Sequence, residues 1–272
     1  MALPSPGLSE RLAHYTLDFD DDFSAAAPDP TKWISSYLPQ WVGSEAARAR
    51  WEFSGGRLYL QIEHDQPSWS PDLTGGMVVS NFQTGVRSGP TGSGSGQHPF
   101  RPDLLVVEER AEQRLYLPHR GIVEIRMAAL ADPSAMVALW MIGFEDAPTR
   151  SAEICVAEIF GRNVGPDRAA VGMGVHPFAD PAIADDFAEV ELALDAREFH
   201  DYAVEWTDDE ITWFVDDAPV RTVAQSPDYP MQLMLDIFED RPAAAELGHG
   251  PERYPKRFAV EYVRGYRRII PD

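Results

Sequence analysis

An all-β sandwich is the fold this sequence predicts, and three observations carry the expectation. Short runs with alternating or β-branched apolar character recur along the chain at fairly even intervals. Turn-forming Gly, Pro, Asn, Asp and Ser lie between them. Stretches with helical period are few. At 272 residues and 44% hydrophobic content the chain can bury a large core. All-β chains of this length commonly stay single, so one domain over residues 1–272 is expected.

The elements follow in order. Residues 57–63 (Arg57-Leu58-Tyr59-Leu60-Gln61-Ile62-Glu63) alternate after the turn signal Ser54-Gly55-Gly56. Residues 76–82 come next, then 121–130, where Val123, Ile125 and Met127 share one face and Glu124 and Arg126 the other. Those two charges are expected to pair. Residues 136–144 are almost wholly apolar and include Trp140; residues 152–160, 170–176, 187–194, 199–206, 210–216, 231–238 and 256–266 complete the strand set. Two helix candidates remain, residues 44–51 after a serine cap and residues 104–114 by composition. The Gly/Ser-rich stretch 85–100 reads as a long surface loop, either disordered or overhanging a cleft.

Charge narrows the partners. A net charge of −21 argues against nucleic acid and anionic membrane, which attract basic surfaces, and leaves a neutral polymer compatible. No stretch approaches 18 apolar residues. Cys155 is the only cysteine, so no internal disulfide forms and a cysteine-based zinc site is not expected. Residues 1–10 show neither a basic nor an apolar leader segment, so the expected compartment is the cytoplasm. A monomer without a required cofactor is expected.

The most informative run is Glu153-Ile154-Cys155-Val156-Ala157-Glu158, in which two glutamates bracket an apolar stretch. Carboxylates in a buried strand are costly without a task, and a glutamate pair is what glycoside hydrolysis uses. The bland alternative is two solvated glutamates flanking a core strand. Parity is the test. A regular strand turns Glu153 and Glu158 to opposite faces, so they share a site only across a β-bulge.

That run resembles the bulged Glu-x-Asp-x-x-Glu signature of glycoside hydrolase family 16, laminarinase-type. The resemblance extends to Phe19-Asp20-Asp21-Asp22-Phe23 with Trp33, to Gly121-Ile122-Val123-Glu124-Ile125-Arg126 and to Ala138-Leu139-Trp140-Met141-Ile142. It continues through residues 199–206, Ile211-Thr212-Trp213-Phe214-Val215-Asp216 and residues 258–266. It implies a jelly-roll sandwich of two curved antiparallel sheets with an open cleft, of the concanavalin A-like lectin and glucanase type. It implies Glu153 as nucleophile, Glu158 as acid/base, and cleavage of β-1,3-glucan within the chain with retention. Retention calls for carboxyl groups about 5–5.5 Å apart. Export, as in relatives, is the alternative compartment.

Cys155 departs from the pattern, standing where the family places an acid, and it admits a non-catalytic carbohydrate-binding protein as the alternative. A transglycosylase shares the same chemistry. Trp140 either stacks on sugar or sits in the core, whereas Trp206 and Trp213 read as core. His176 either donates to substrate or to Glu158, or is structural. The acidic residues from Asp18 to Asp22, Asp20 among them, are weak candidates to hold a structural Ca²⁺ with Glu261, though they lack the usual calcium-loop spacing.

Overall fold

The computed structural model describes residues 6–269. In chain order its strands are β1 Tyr15–Asp21, β2 Arg50–Phe53, β3 Leu58–Ile62, β4 Met77–Gln83, β5 Gly85–Val86 and β6 Gln113–Arg114. They continue as β7 Gly121–Ala128, β8 Ala135–Gly143, β9 Glu153–Phe160, β10 Ala169–His176 and β11 Asp186–Leu192. The last five are β12 His200–Trp206, β13 Ile211–Val215, β14 Ala218–Val223, β15 Met231–Asp240 and β16 Lys256–Arg268. One sheet runs β14-β13-β12-β7-β16-β3-β2 with β1 also on β16, and the other runs β11-β10-β9-β8-β15-β4. All these pairings are antiparallel. The fold is a jelly-roll sandwich, as the strand pattern predicts.

Alternation explains how the sheets meet. Val123, Ile125 and Met127 of β7 and Val204 and Trp206 of β12 face Val137, Leu139 and Met141 of β8 and Leu233, Leu235 and Ile237 of β15 in one buried core. Trp213 joins them and donates from Nε1 to the Cys155 carbonyl at 2.8 Å, tying the first sheet to the strand that carries both glutamates. The other face of β8 and β15 bears Ala138, Trp140, Ile142 and Met234, packed with Tyr37, Trp41 and Trp69 from the N-terminal segment. That second face is the open one.

A buried cation also bridges the sheets. Lys256, at the start of β16, sits 2.6 Å from Glu239 Oε1 of β15 and 2.9 Å from Asp132 Oδ2, and donates to Ser134 Oγ at 2.6 Å. Lys256 and Glu239 are essentially inaccessible to solvent.

Four expectations change. Residues 44–51 do not form a helix; the Ser44 hydroxyl bonds Glu108 Oε1 at 2.5 Å and its amide bonds Oε2 at 2.8 Å, leaving no cap, and the chain enters β2. Residues 104–114 are extended, because Leu104 and Val106 are buried while Leu105 and Val107 are each 58% exposed, a period of two. The stretch 85–100 is ordered wall rather than overhang. It begins as β5, paired with β6, and Gln97 is fully buried, with its amide bonded to the Phe144 carbonyl, to Gln232 and to the Arg87 amide. Glu124 and Arg126 do not pair with each other: Arg126 binds Asp201 and Glu261, while Glu124 accepts from the Tyr266 hydroxyl. Three short helices, Leu8–Leu12, Pro71–Thr74 and Arg241–Glu246, carry too few turns to show a period in sequence.

Candidate active site

The bulge that parity demands is present in β9. Against β8, Ala157 pairs Leu139 and Cys155 pairs Trp140, so Val156 is the extra residue. Against β10, Glu158 pairs Gly172 and Cys155 pairs Gly174, with the same shift. Val156 and Ala157 both point into the core with Ile154 and Ile159. Glu153, Cys155 and Glu158 consequently share the open face, in register with Ile142, Trp140 and Ala138 of β8.

Their neighbours complete a polar row in an otherwise apolar sheet. Cys155 Sγ donates to Glu153 Oε1 at 2.9 Å and stands close enough to Glu158 to offer it the same single proton in exchange, so the thiol lies between the two carboxylates. Burial raises the pKa of both glutamates, and the thiol hydrogen bond opposes that rise in each. Burial and the two carboxylates push the thiol itself well above its ordinary range, so it is neutral. Gly172, opposite Glu158, has no room for a side chain: a Cβ would stand 2.5 Å from the Phe187 ring and 3.2 Å from Glu158 Cβ.

Trp140 lies in the floor of this face, 5% exposed, with Nε1 donating to Asp236 Oδ2 at 2.7 Å. His176 sits across from Glu153 on β10, accessible at the rim, with Nδ1 2.6 Å from Asp185 Oδ1 and its ring stacked on Phe187 at 5.0 Å. Trp206 and Trp213 are in the core. Asp236 was not singled out in sequence, yet it is fully buried on the same face. Its Oδ1 has no partner, and burial, with both glutamates adding to it, raises its pKa well above the carboxylate range. The signal for it is an acid in the apolar run Met231–Asp240, in phase with Gln232 and Met234.

Two hollows flank the row. One of about 830 Å³ borders Glu158, with Tyr37, Met77, Phe160 and Phe238. The other, about 510 Å³, lies between the 85–100 wall and Phe178 and holds His98 and the buried Glu145. Burial pushes Glu145 up to about 8 and His98 down to about 4, leaving both neutral near pH 7.

The calcium candidates Asp20 and Glu261 are each held by arginine. Asp20 Oδ1 accepts from Arg264 at 2.9 Å, whereas Glu261 accepts from Arg57 at 2.6 Å and from Arg126 at 2.8 Å. Both carboxylates are engaged by arginines, which would repel a cation.

Comparison with known proteins matches the fold and assigns the family. The family model for glycosyl hydrolases family 16 matches residues 118–256, just over half the chain. A β-glucanase of Rhodothermus marinus is 23% identical, over 96% of this chain and 88% of that protein. Among solved structures, the GlcNAcα1-4Gal releasing endo-β-galactosidase from Clostridium perfringens superposes with a TM-score of 0.81 at 28% identity, covering 94% of this chain. This chain spans 64% of that structure's length. The laminarinase from Rhodothermus marinus gives a TM-score of 0.66 at 23% identity, covering 94% of this chain and 99% of that one, a likeness of fold. The chain belongs to glycosyl hydrolases family 16 and is a glycoside hydrolase.

Proposed function

We propose that this protein is a retaining endo-glycosidase that hydrolyses β-1,3-linked glucan, with Glu153 as nucleophile and Glu158 as general acid and base. The observation that carries the reading is the bulge at Val156, which turns both glutamates to one open face. In the first step the Glu153 carboxylate attacks the anomeric carbon as the glycosidic C–O bond breaks, and Glu158 gives its proton to the leaving oxygen. In the second, Glu158 takes a proton from water, whose oxygen displaces Glu153 from the sugar. Burial raises the Glu158 pKa, the direction a general acid needs. It raises Glu153 as well, to about 8, so Glu153 must give up its proton before it attacks. The hollow that borders Glu158 gives a sugar chain room beside the general acid. Trp140 forms the floor under the sugar, and His176 stands at the rim to hydrogen-bond it.

A second substrate reading has its own observation. The endo-β-galactosidase superposes with a TM-score of 0.81 at 28% identity, against 0.66 and 23% for the laminarinase. It favours a β-galactosidic linkage cut by the same two glutamates. Incubation with laminarin, mixed-linkage glucan, galactan and galactose-containing oligosaccharides, followed by chromatography, separates the readings. Internal cleavage of laminarin supports the first; cleavage confined to galactosides replaces it with the second. In either case Glu153→Gln should lower turnover by about 10⁴-fold or more while binding survives, since an amide cannot form the glycosyl-enzyme. Glu158→Ala should cost about 10²–10⁴-fold on polysaccharide and far less on an aryl glycoside with a good leaving group. Near-wild-type turnover of polysaccharide by both variants would remove the assignment.

A further inference from the structure

Hydrolysis by two glutamates has no use for a thiol, yet Cys155 lies between them. The fold also brings it a histidine that is remote in sequence. Ligand atoms of Glu153, Cys155 and His176 all lie within 4.8 Å of one another. The three donors come from two adjacent strands: His176 of β10 pairs with Glu153 of β9, and the residue of β10 opposite Cys155 is Gly174, which presents no side chain between them. His176 is oriented as metal-binding histidines commonly are, with Nδ1 held by the Asp185 carboxylate at 2.6 Å, which leaves Nε2 for an ion. The cleft gives access through the accessible His176 rim.

We propose that Glu153, Cys155 and His176 form a binding site for a thiophilic divalent cation, Zn²⁺ or Cd²⁺, whose occupancy reversibly blocks the active site. The donor set of one thiolate, one imidazole and one carboxylate suits such ions rather than Ca²⁺ or Mg²⁺, which take oxygen ligands. Tetrahedral Zn²⁺ with ordinary bond lengths separates its donors by about 3.3–3.6 Å. The thiol and Glu153 Oε1, now 2.9 Å apart, must therefore part slightly while His176, within 4.8 Å of both, closes in, shifts within reach of side-chain rotation. The fourth position faces the cleft and takes water. Binding expels the thiol proton, and any proton on Glu153, to solvent; nothing is oxidised or reduced. A Glu153 oxygen bonded to the ion cannot attack an anomeric carbon, so occupancy stops turnover. The lack of a second cysteine, which argued against zinc in the sequence, does not bear on this site, because histidine and glutamate supply the other ligands.

The test is titration of the purified protein with Cd²⁺, read by the ultraviolet thiolate-to-metal charge-transfer band, with Zn²⁺ binding measured by calorimetry. The expected result is one ion per chain, a band absent from Cys155→Ser, and reversal by EDTA. Asp185→Asn, a change at an exposed position, should weaken Zn²⁺ binding by about 10–100-fold through loss of the histidine's orienting partner. No band in the wild-type protein would overturn the proposal. Equal Zn²⁺ affinity in wild type and Cys155→Ser would overturn it too, placing the ion on the acidic surface. The band is read without substrate, so its outcome is separate from that of the glycan panel.

Discussion

Cys155 sets the proton affinities of its neighbours by what it lacks as much as by what it does. A neutral thiol has one weak hydrogen-bond proton, which Glu153 accepts and Glu158 can take only in exchange, and it adds no charge, whereas an acid at this position would add a like-charged neighbour. Cys155→Asp should therefore raise the pKa of Glu158, since it removes the thiol hydrogen bond and adds negative charge. Glu158 must be protonated to act as general acid, so activity persists until pH exceeds that pKa. The alkaline limb of kcat/KM against pH should move upward in the variant, and turnover should rise as the new carboxyl group orients Glu153. An unchanged limb and rate on one soluble glycan would show that Cys155 has no influence on the pair.

At the level of the element, the bulge in β9 decides whether a site exists. Deleting Val156 removes the extra residue and leaves the glutamates an even four positions apart, so a regular strand keeps every β8 pairing and still turns Glu153, Cys155 and Glu158 to the open face. We expect the deletion variant to fold and to retain measurable hydrolysis; activity below detection in a variant whose thermal midpoint is within a few degrees of wild type would contradict the parity argument. This element was legible in sequence because Glu153 and Glu158 stand five apart, an odd spacing that only a bulge reconciles with a shared face. The strand set was legible for a related reason, since both sheets have one face in a single core and alternate accordingly. What stayed hidden depends on contacts distant in sequence. Ser44 looked like a helix cap until Glu108 claimed its hydroxyl. His176 is 21 residues from Cys155 and meets it only across β9 and β10. Asp236 carried the same signal as Glu153, an acid in an apolar strand, but the acids after it, Glu239 and Asp240, stand at the strand's end rather than framing it in a recognisable motif.

For the whole molecule, the Lys256 cluster is the most consequential polar contact between the sheets. Its ammonium compensates Asp132 and shares Glu239 with Arg241, whose Nε lies 2.6 Å from Glu239 Oε2. Lys256→Met should destabilise the fold by about 3–5 kcal/mol, because it leaves the buried Asp132 carboxylate without its cation and Glu239 with Arg241 alone. For a chain of this size that corresponds to a fall of about 6–20 °C in Tm. Calorimetric melting of the two proteins checks it, and a change under about 2 °C would show that the acids are relieved by protonation or solvent instead. The same architecture ties the core to the site, as Trp213 reaches through the sandwich to the Cys155 carbonyl and holds β9 where it is bulged.

The central claim, that Glu153 and Glu158 converge as a retaining pair, is tested most directly by the anomer first released from substrate. Proton NMR recorded within the first minutes of laminarin hydrolysis, or of galactoside hydrolysis if that is the substrate, reads the new reducing end before mutarotation scrambles it. The account predicts the β anomer first, with the α form growing in afterwards. An α anomer appearing first would mean single displacement by water, and would contradict the assignment of Glu153 as nucleophile.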